Sequence, residues 1–511
     1  MTNKELTDKF EAMLSEVESI ASKACLAEIY EMCIEKSRDI EKPLRIAVIG
    51  DVSAGKSTLL NAFLKGRYVS TGSLATTYYV NYMRYVEQSE VGEELKIYMK
   101  DGSVVYKPLS FLTLLSDQNN EECAELRKEG IAWFEVFVNN EALRIYDLID
   151  TAGLDSATGK DSQNTLDLVN DDYRRPDVIV YLVVKEYKEE HLNFIKEIHC
   201  KIRDKENLGG LNTISAFAQC DRLVYGMGGN YMDIANRIVK TNMQKYPDFR
   251  FHISKVFPVS AVYAQGAYMI TESSFAILKK IALSSVPLKK IKSLERFRKY
   301  ALDDFDSQEQ MEQFVSTLEF PTVQYSVLQI SNNPQLDIEE LRKMLLEYSN
   351  VSFLKDYIQE TYGKSSKRFK VNNLLTSLKK TVLKLRLQAF GEQRRQIQKI
   401  LTVIESFEKE FEKGFTSFVI RKDFFEGKKY FNDGMTENVY YLDKDQWGKA
   451  MEALDLIDKN IFSEIEVRNA KKMCGYWQKL WEDFIMYGDD CAASKARYIY
   501  YSLKEKVANY E

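Results

Sequence analysis

Apolar side chains at positions 6, 10, 13, 17, 20 and 24 alternate steps of four and three within the segment 4–37. That spacing lays one seam along a helix and leaves charge on its other face. Two packings suit such a seam: against its own domain, or as one strand of a bundle completed by helices near the C-terminus. From Pro43 the period changes. LRIAVIG (44–50) reads as a short buried strand, YVNYMRYV (79–86) and LKIYMK (95–100) alternate as antiparallel strands do, and IAWFEVFV (131–138) and LRIYDLID (143–150) read as another pair. VIVYLVV (178–184), NTISAFAQC (212–220) and KVFPVSA (255–261) are apolar runs separated by helical stretches. Strands alternating with helices predict an α/β layer built on a mostly parallel sheet.

After about residue 265 no run has strand character. DIEELRKMLLEYSNVSFLKDYIQETYG (337–363) has helical spacing and a terminal glycine. From Lys364 to Gly414 the helical pattern is nearly unbroken, roughly 50 residues and on the order of 75 Å if straight. It resumes over 446–510, and between lies the aromatic, glycine-punctuated stretch 414–445. All eight prolines fall between residues 43 and 334, which fits a mixed domain flanked by long helices. The expected fold is therefore an α/β domain, a mostly parallel sheet flanked by helices, followed by a long α-helical bundle or stalk. The expected division is an N-terminal helix, 1–42, packing with the C-terminal bundle; the α/β domain, 43–362; and a helical stalk, 363–511, with a tip at 414–445.

Charge and cysteine content narrow the setting. A net charge of −5 gives no global attraction to nucleic acid or an anionic membrane. The seven cysteines form no CxxC pair and the N-terminus lacks a signal-peptide pattern, so a cytoplasmic protein is expected, with peripheral membrane contact as an option. The three histidines show no HExxH or comparable metal-binding spacing.

The chemistry begins at residue 50. Gly50-Asp51-Val52-Ser53-Ala54-Gly55-Lys56-Ser57-Thr58 satisfies G-x-x-x-x-G-K-[ST] between a strand and a helix. Glycines let backbone N–H groups close on phosphates, and the helix N-terminus adds positive potential. Lys56 is expected to reach the β- and γ-phosphates and Ser57 to ligate Mg²⁺. Downstream, Asp150-Thr151-Ala152-Gly153 ends a strand, which would set the Asp150 carboxylate by the metal and the Gly153 N–H by the γ-phosphate. Thr76 or Thr77, in SLATTYYVN, could close on the metal. Asp221, at the end of SAFAQCD, can accept from both N1 and the exocyclic amine of guanine, a pairing adenine lacks. Ser260 and Ala261 stand where a backbone amide could meet the base oxygen. GTP or GDP with Mg²⁺ is the expected cofactor set.

The order GxxSAGKST, ATT, DTAG, QCD and VSA resembles the dynamin superfamily of large GTPases and is most similar to bacterial dynamin-like proteins. By motif the resemblance spans residues 43 to 262. It implies a GTPase domain on a helical neck or stalk, self-association as a nucleotide-dependent dimer or oligomer, a related GTPase as an alternative partner, and often membrane remodelling. It implies a catalytic set of Ser53, Lys56, Thr76 and Gly153, with Ser53 stabilising the developing charge. Around the nucleotide it implies Gly50, Asp51, Ser53, Ala54, Gly55, Lys56, Ser57, Thr58, Asp150, Gly153, Gln219, Asp221, Ser260 and Ala261, and around the metal Ser57, Thr76, Thr77 and Asp150. Two positions depart from the family pattern. Gln219 stands where a lysine usually packs along the base, and DTAG replaces DLPG. Leu154 also occupies the place where small GTPases carry a water-orienting glutamine.

Two segments bear on partners. Residues 364–399 hold eleven Lys or Arg and one acid, Glu392, which suits either an anionic surface or a solvated face balanced by acids such as those in MEALDLIDKNIFSEIE (451–466). In 414–445, Phe415, Phe418, Phe424 and Phe425 mingle with Arg421, Lys422, Lys428 and Lys429. That mixture could lie in a membrane interface or seal the end of a bundle. No nucleic-acid partner is expected. The rival to an assembling GTPase is a nucleotide-gated scaffold with negligible hydrolysis of its own.

Overall fold

A computed structural model describes residues 3–66, 68, 80–87, 94–111, 125–126, 128–151, 154, 165–166, 168, 174–202, 212–223, 231–246, 249–363, 365–432, 444–458, 463–486 and 490–508. Nine strands join in one sheet: β1 (Leu44–Gly50), β2 (Val80–Tyr85), β3 (Glu94–Met99), β4 (Val104–Pro108), β5 (Ile131–Val138), β6 (Tyr146–Asp150), β7 (Val178–Val184), β8 (Thr213–Ala218) and β9 (Val256–Pro258). Their order is β4-β3-β5-β2-β6-β1-β7-β8-β9. From β6 through β1 and β7 to β9 every pairing is parallel. β2 runs antiparallel to β6 and parallel to β5, and β3 is antiparallel to both β4 and β5.

The sequence reading of 131–138 and 143–150 as mutual partners is corrected here: β2 lies between them. Apolar alternation sets which face a strand buries but not which neighbour it takes. Leu143 and Arg144 leave the strand altogether for a short 3₁₀ turn capped by the Asn140 side chain, which accepts from the Ala142 N–H at 3.1 Å. That turn carries the chain past the position beside β5.

Helices of seven or more residues are numbered α1 (Asn3–Lys23), α2 (Ala27–Asp39), α3 (Lys56–Phe63), α4 (Glu189–Ile202), α5 (Tyr231–Lys245), α6 (Ala261–Met269), α7 (Glu272–Ala282) and α8 (Leu294–Tyr300). There follow α9 (Gln308–Leu318), α10 (Phe320–Asn332), α11 (Ile338–Ser349), α12 (Val351–Ile358), α13 (Ser366–Gln388), α14 (Gly391–Asn432), α15 (Lys444–Asp458), α16 (Glu464–Met486) and α17 (Asp490–Ala508). Successive β1 residues face opposite ways, so Ile46 and Val48 join one core and Ala47 and Ile49 the other. The first core takes in α1 to α3 and α12 to α14; the second takes in α4 to α11. A third apolar cluster, around Leu454, Trp477 and Ile499, belongs to α15–α17.

The predicted N-terminal seam is present, with Leu6, Phe10, Met13, Leu14, Val17 and Ala21 buried, but it belongs to one helix of a broken pair. α1 stops where Cys25 takes a left-handed φ of 52°, while Leu26 N–H donates to Ala21 O at 2.9 Å and Cys25 N–H to Ser22 O at 3.2 Å. This two-bond C-terminal motif usually carries glycine. With cysteine in that place the sequence offers no stop signal. α1 lies along α14, with the Phe10 and Phe407 rings 5.7 Å apart and Lys9 paired with Glu410.

The expected unbroken helix from 364 to 414 is likewise two helices. Ala389 turns extended and Gly391 left-handed, and α14 returns along α13 with Lys379 paired to Glu408. The breakpoint reads Ala-Phe-Gly, whose apolar residues keep the periodicity going across the turn. Beyond it α14 continues through Asn432, so Gly414 and Gly427 sit within a helix and punctuate nothing. Residues 433–443 of the expected tip lie outside the described residues.

Candidate nucleotide-binding site

β1 delivers Gly50 so close to β7 that an added Cβ would lie 2.8 Å from the Leu182 carbonyl oxygen. The loop then turns tightly, Ala54 N–H donating to Asp51 O at 3.1 Å. Ser53 (φ 61°) and Gly55 (φ 94°) are left-handed. Left-handed residues in such a turn are the backbone form of an anion-binding nest, here placed at the start of α3. Lys56 is buried, and its Nζ donates to Gly50 O at 2.9 Å and Asp51 O at 3.0 Å, which holds the ammonium against the loop it serves.

At the end of β6, beside β1, Asp150 is almost fully buried and its Oδ1 has no protein partner. Burial pushes its carboxyl up to about 6, opposed by the Lys56 charge and a hydrogen bond from Ser57. An orphaned buried carboxylate oxygen next to a serine hydroxyl is a donor set that suits Mg²⁺, which takes few protein oxygens and leaves the rest to phosphate and water. Among the described residues no three His, Cys, Asp or Glu side chains gather as a metal site, consistent with so sparse a set. Ser57 and Asp150 would hold the ion, which would supply positive charge against the phosphates.

The predicted residues Thr76, Thr77 and Gly153 lie outside the described residues. The residues flanking Gly153 are tied to the phosphate loop. Thr151 Oγ1 donates to Val48 O at 2.9 Å, and Leu154 N–H donates to Gly50 O at 3.1 Å.

The residues expected to read the base follow β8 and β9. Gln219, left-handed with φ 56°, donates from Nε2 to Ser53 O at 2.5 Å, bridging to the phosphate loop. Asp221 Oδ1 accepts from Ser260 Oγ at 2.7 Å. Ser260 is fully buried, so its side chain orients Asp221, while its N–H is taken by Ser349 O at 2.9 Å. Ala54, Gly55, Thr58, Gln219, Asp221 and Ala261 line one cleft of about 520 Å³. The structure thus brings the two halves of the predicted site together.

Two contributors escaped sequence analysis. His191 Nε2 lies 3.3 Å from Asp51 Oδ2 and accepts the Lys188 N–H at Nδ1, 3.3 Å away, so it braces the loop from α4. That hydrogen bond is the chief cause holding the Asp51 carboxyl below its usual range. A lone histidine 140 residues downstream gives no local signal. The cleft wall formed by Leu294, Val315, Phe320 and Gln324 comes from helices whose sequence carries only a helical pattern.

A glycine-rich loop between the central strand and a helix, its lysine folded over the loop and a buried aspartate on the adjacent strand, defines a P-loop nucleotide-binding domain. Residues 46–199 match the model of the dynamin family. Dynamin-like protein 2 of Campylobacter jejuni subsp. jejuni serotype O:23/36 (strain 81-176) is 31% identical over 128 residues, 25% of this chain and 19% of that protein. A probable transmembrane GTPase FZO-like, chloroplastic, of Arabidopsis thaliana is 29% identical over 97 residues, 19% of this chain and 11% of that protein. The chain thus matches under a fifth of the length of these curated relatives. A solved oligomerised bacterial dynamin pair is 13% identical, with TM-score 0.32, across 100% of this chain and 78% of that one. The likeness to the dynamin family is thus confined to residues 46–199, the part of the chain that carries the phosphate loop and Asp150.

Proposed function

We propose that the protein is a dynamin-like GTPase that binds and hydrolyses GTP to GDP and phosphate with Mg²⁺, and that nucleotide-dependent self-association couples this cycle to movement of its helices. The observation that carries the reading is the single cleft in which the phosphate loop meets Gln219, Asp221 and Ala261. In it Lys56 and the Gly50–Gly55 loop hold phosphates, Ser57 and Asp150 hold the metal with Thr76 or Thr77, Asp221 reads guanine, and Ser53 and Gly153 stabilise charge on the γ-phosphate.

Peripheral contact with an anionic membrane is part of this reading, and the α13–α14 turn has features that suit it. Leu387 and Phe390 are 86% and 80% exposed at the turn, with Lys384, Arg394, Arg395 and Lys399 exposed nearby. Other cations of the stretch are engaged within the chain: Lys367 pairs with Glu41, Lys370 with Asp177 and Lys379 with Glu408. No helix among the described residues is long and apolar enough to cross a membrane.

The second reading, a nucleotide-gated scaffold with negligible turnover, is favoured by Leu154, which cannot orient a water and is bonded to Gly50. Hydrolysis measured against protein concentration, with and without anionic liposomes and beside Lys56→Ala, separates the two. The GTPase reading expects specific activity to climb with concentration or lipid and to vanish in the variant. A flat, near-zero rate with intact GTP binding would establish the scaffold instead.

A further inference from the structure

The chain between α6 and α9 makes a strongly basic corner. Residues 277–300 hold eight Lys or Arg and a single acid, Glu295. They run from the end of α7 through the short helix Pro287–Lys290 into α8, and the 3₁₀ turn Leu302–Asp304 packs back on α7 and α8. Lys280 Nζ donates to Asp303 O at 3.2 Å and Lys290 pairs with Asp304 at 2.6 Å, which ties the segment into one knuckle. Two of the eight cations have acidic partners, Lys290 with Asp304 and Arg298 with Glu312. The other six, Lys279, Lys280, Lys289, Lys292, Arg296 and Lys299, form no ion pair among the described residues. Four large apolar side chains of the same knuckle stand in the open: Leu283 is 58% exposed, Val286 and Leu288 47% and Leu302 39%.

Flexible lysines around aliphatic side chains narrow the choice of partner. Protein interfaces are anchored by Trp, Tyr and Arg and are depleted in lysine. Single-stranded nucleic acid is held by stacking on aromatic rings, and Tyr300 here is already occupied by Lys289 and Lys299, 4.6 and 5.4 Å from its ring centre. An anionic bilayer matches both parts of the knuckle. Aliphatic side chains enter the boundary between headgroups and acyl chains, while lysine stems lie along it and their ammonium groups meet the lipid phosphates.

We propose that this knuckle, through Leu283, Val286 and Leu288 with Lys289, Lys292 and Lys299, is a second membrane-contact surface that docks on anionic phospholipid. It is separate from the α13–α14 turn and does not depend on nucleotide turnover. Leu294, at the start of α8, lines the nucleotide cleft, so docking here would hold that cleft next to the bilayer. Sedimentation of the full chain with vesicles of phosphatidylcholine and phosphatidylserine in equal parts, beside pure phosphatidylcholine, tests the surface. Lys289→Gln, Lys292→Gln and Lys299→Gln together should lower partition onto the mixed vesicles roughly 100-fold, at about five-fold for each lysine, and flatten its salt dependence. Leu283→Ser with Leu288→Ser should lower it about ten-fold and leave the salt dependence as it was. The lysine changes should cost the same factor in a Leu387→Ser, Phe390→Ser background, which marks the two contacts as separate. These side chains are exposed and outside the cleft, so parental melting temperature and GDP affinity are expected and exclude misfolding as the cause. Parental partition in both knuckle variants would overturn this surface while leaving the α13–α14 turn in place. A parent chain that binds neither kind of vesicle would overturn both membrane contacts, leave the GTPase reading to its own turnover test, and turn the knuckle over to an acidic protein.

Discussion

Asp221 reads a base only if its carboxylate is held in one orientation, and the structure supplies the holder in Ser260. The serine hydroxyl donates to Asp221 Oδ1, and the serine itself is fixed because its N–H is bonded to Ser349 O, one residue before Asn350, whose side chain grips Pro258 O at 2.8 Å. Ser260→Ala leaves those backbone ties intact and removes only the orienting bond. GDP affinity should therefore fall by about ten-fold, the low end of the range expected for one hydrogen bond to a charged group, with little change in melting temperature. Calorimetric titration beside thermal unfolding checks this, and equal affinity in parent and variant would show that Asp221 needs no such support. Sequence reading reached these residues unevenly. Lys56, Asp150 and Asp221 stand on loops and strand ends whose local pattern announces them. The buried Ser260 side chain, which donates to Asp221, and His191, which braces Asp51, act through partners distant in sequence.

At the scale of elements, the cleft proposed to hold the base depends on how closely α10 approaches α6. Gly266 makes that approach possible: a Cβ there would fall 2.4 to 2.9 Å from the Thr322 side chain, which is itself buried and hydrogen-bonded to Val262 O. Thr322 is β-branched and has no room to swing aside. Gly266→Ala must then push α10 outward, at a cost of about 1–3 kcal/mol by analogy with overpacked cores. Because Phe320, Pro321 and Gln324 on α10 line the cleft, the same change should weaken GDP binding. Urea unfolding and nucleotide titration together check the pair of effects, and a stable variant with parental affinity would show that the helices are not held in this way. The strands of the parallel half of the sheet were legible because buried runs such as LRIAVIG and VIVYLVV stand out from their surroundings. Helix ends were not, since α1 stops on cysteine and α13 stops inside an apolar run, neither of which breaks the period. The edge strand β4, with Val104 and Tyr106 exposed, had no buried face strong enough to mark it.

Across the whole molecule, the helical part meets the sheet through a buried polar cluster. Asp177, just before β7, accepts from the Arg45 N–H at 2.9 Å and from Asn373 Nδ2 at 2.9 Å, and lies 3.7 Å from Lys370 Nζ. Arg45 reaches Asp39 at the end of α2, and Lys370 reaches the Asp39 carbonyl at 3.4 Å, so α2, β1, β7 and α13 share one set of charges. Burial pulls Lys370 below its usual range, and Asp177 is the largest influence raising it again. Buried charges of this kind contribute little net stability but are costly to unpair. Lys370→Ala should thus cost about 3–5 kcal/mol, because the Asp177 and Asp39 charges lose a neighbour. Lys370→Ala combined with Asp177→Asn should cost less than the sum of the two single changes, since the asparagine oxygen keeps one of the bonds from Arg45 and Asn373 and the buried acid that the lysine faced is gone. Denaturant unfolding of the parent, both single variants and the double variant gives the coupling directly. Additive costs would mean that the helices and the sheet are joined by apolar contact alone. A large positive coupling would identify this cluster as the joint through which a nucleotide-driven change at β1 and its phosphate loop reaches α13.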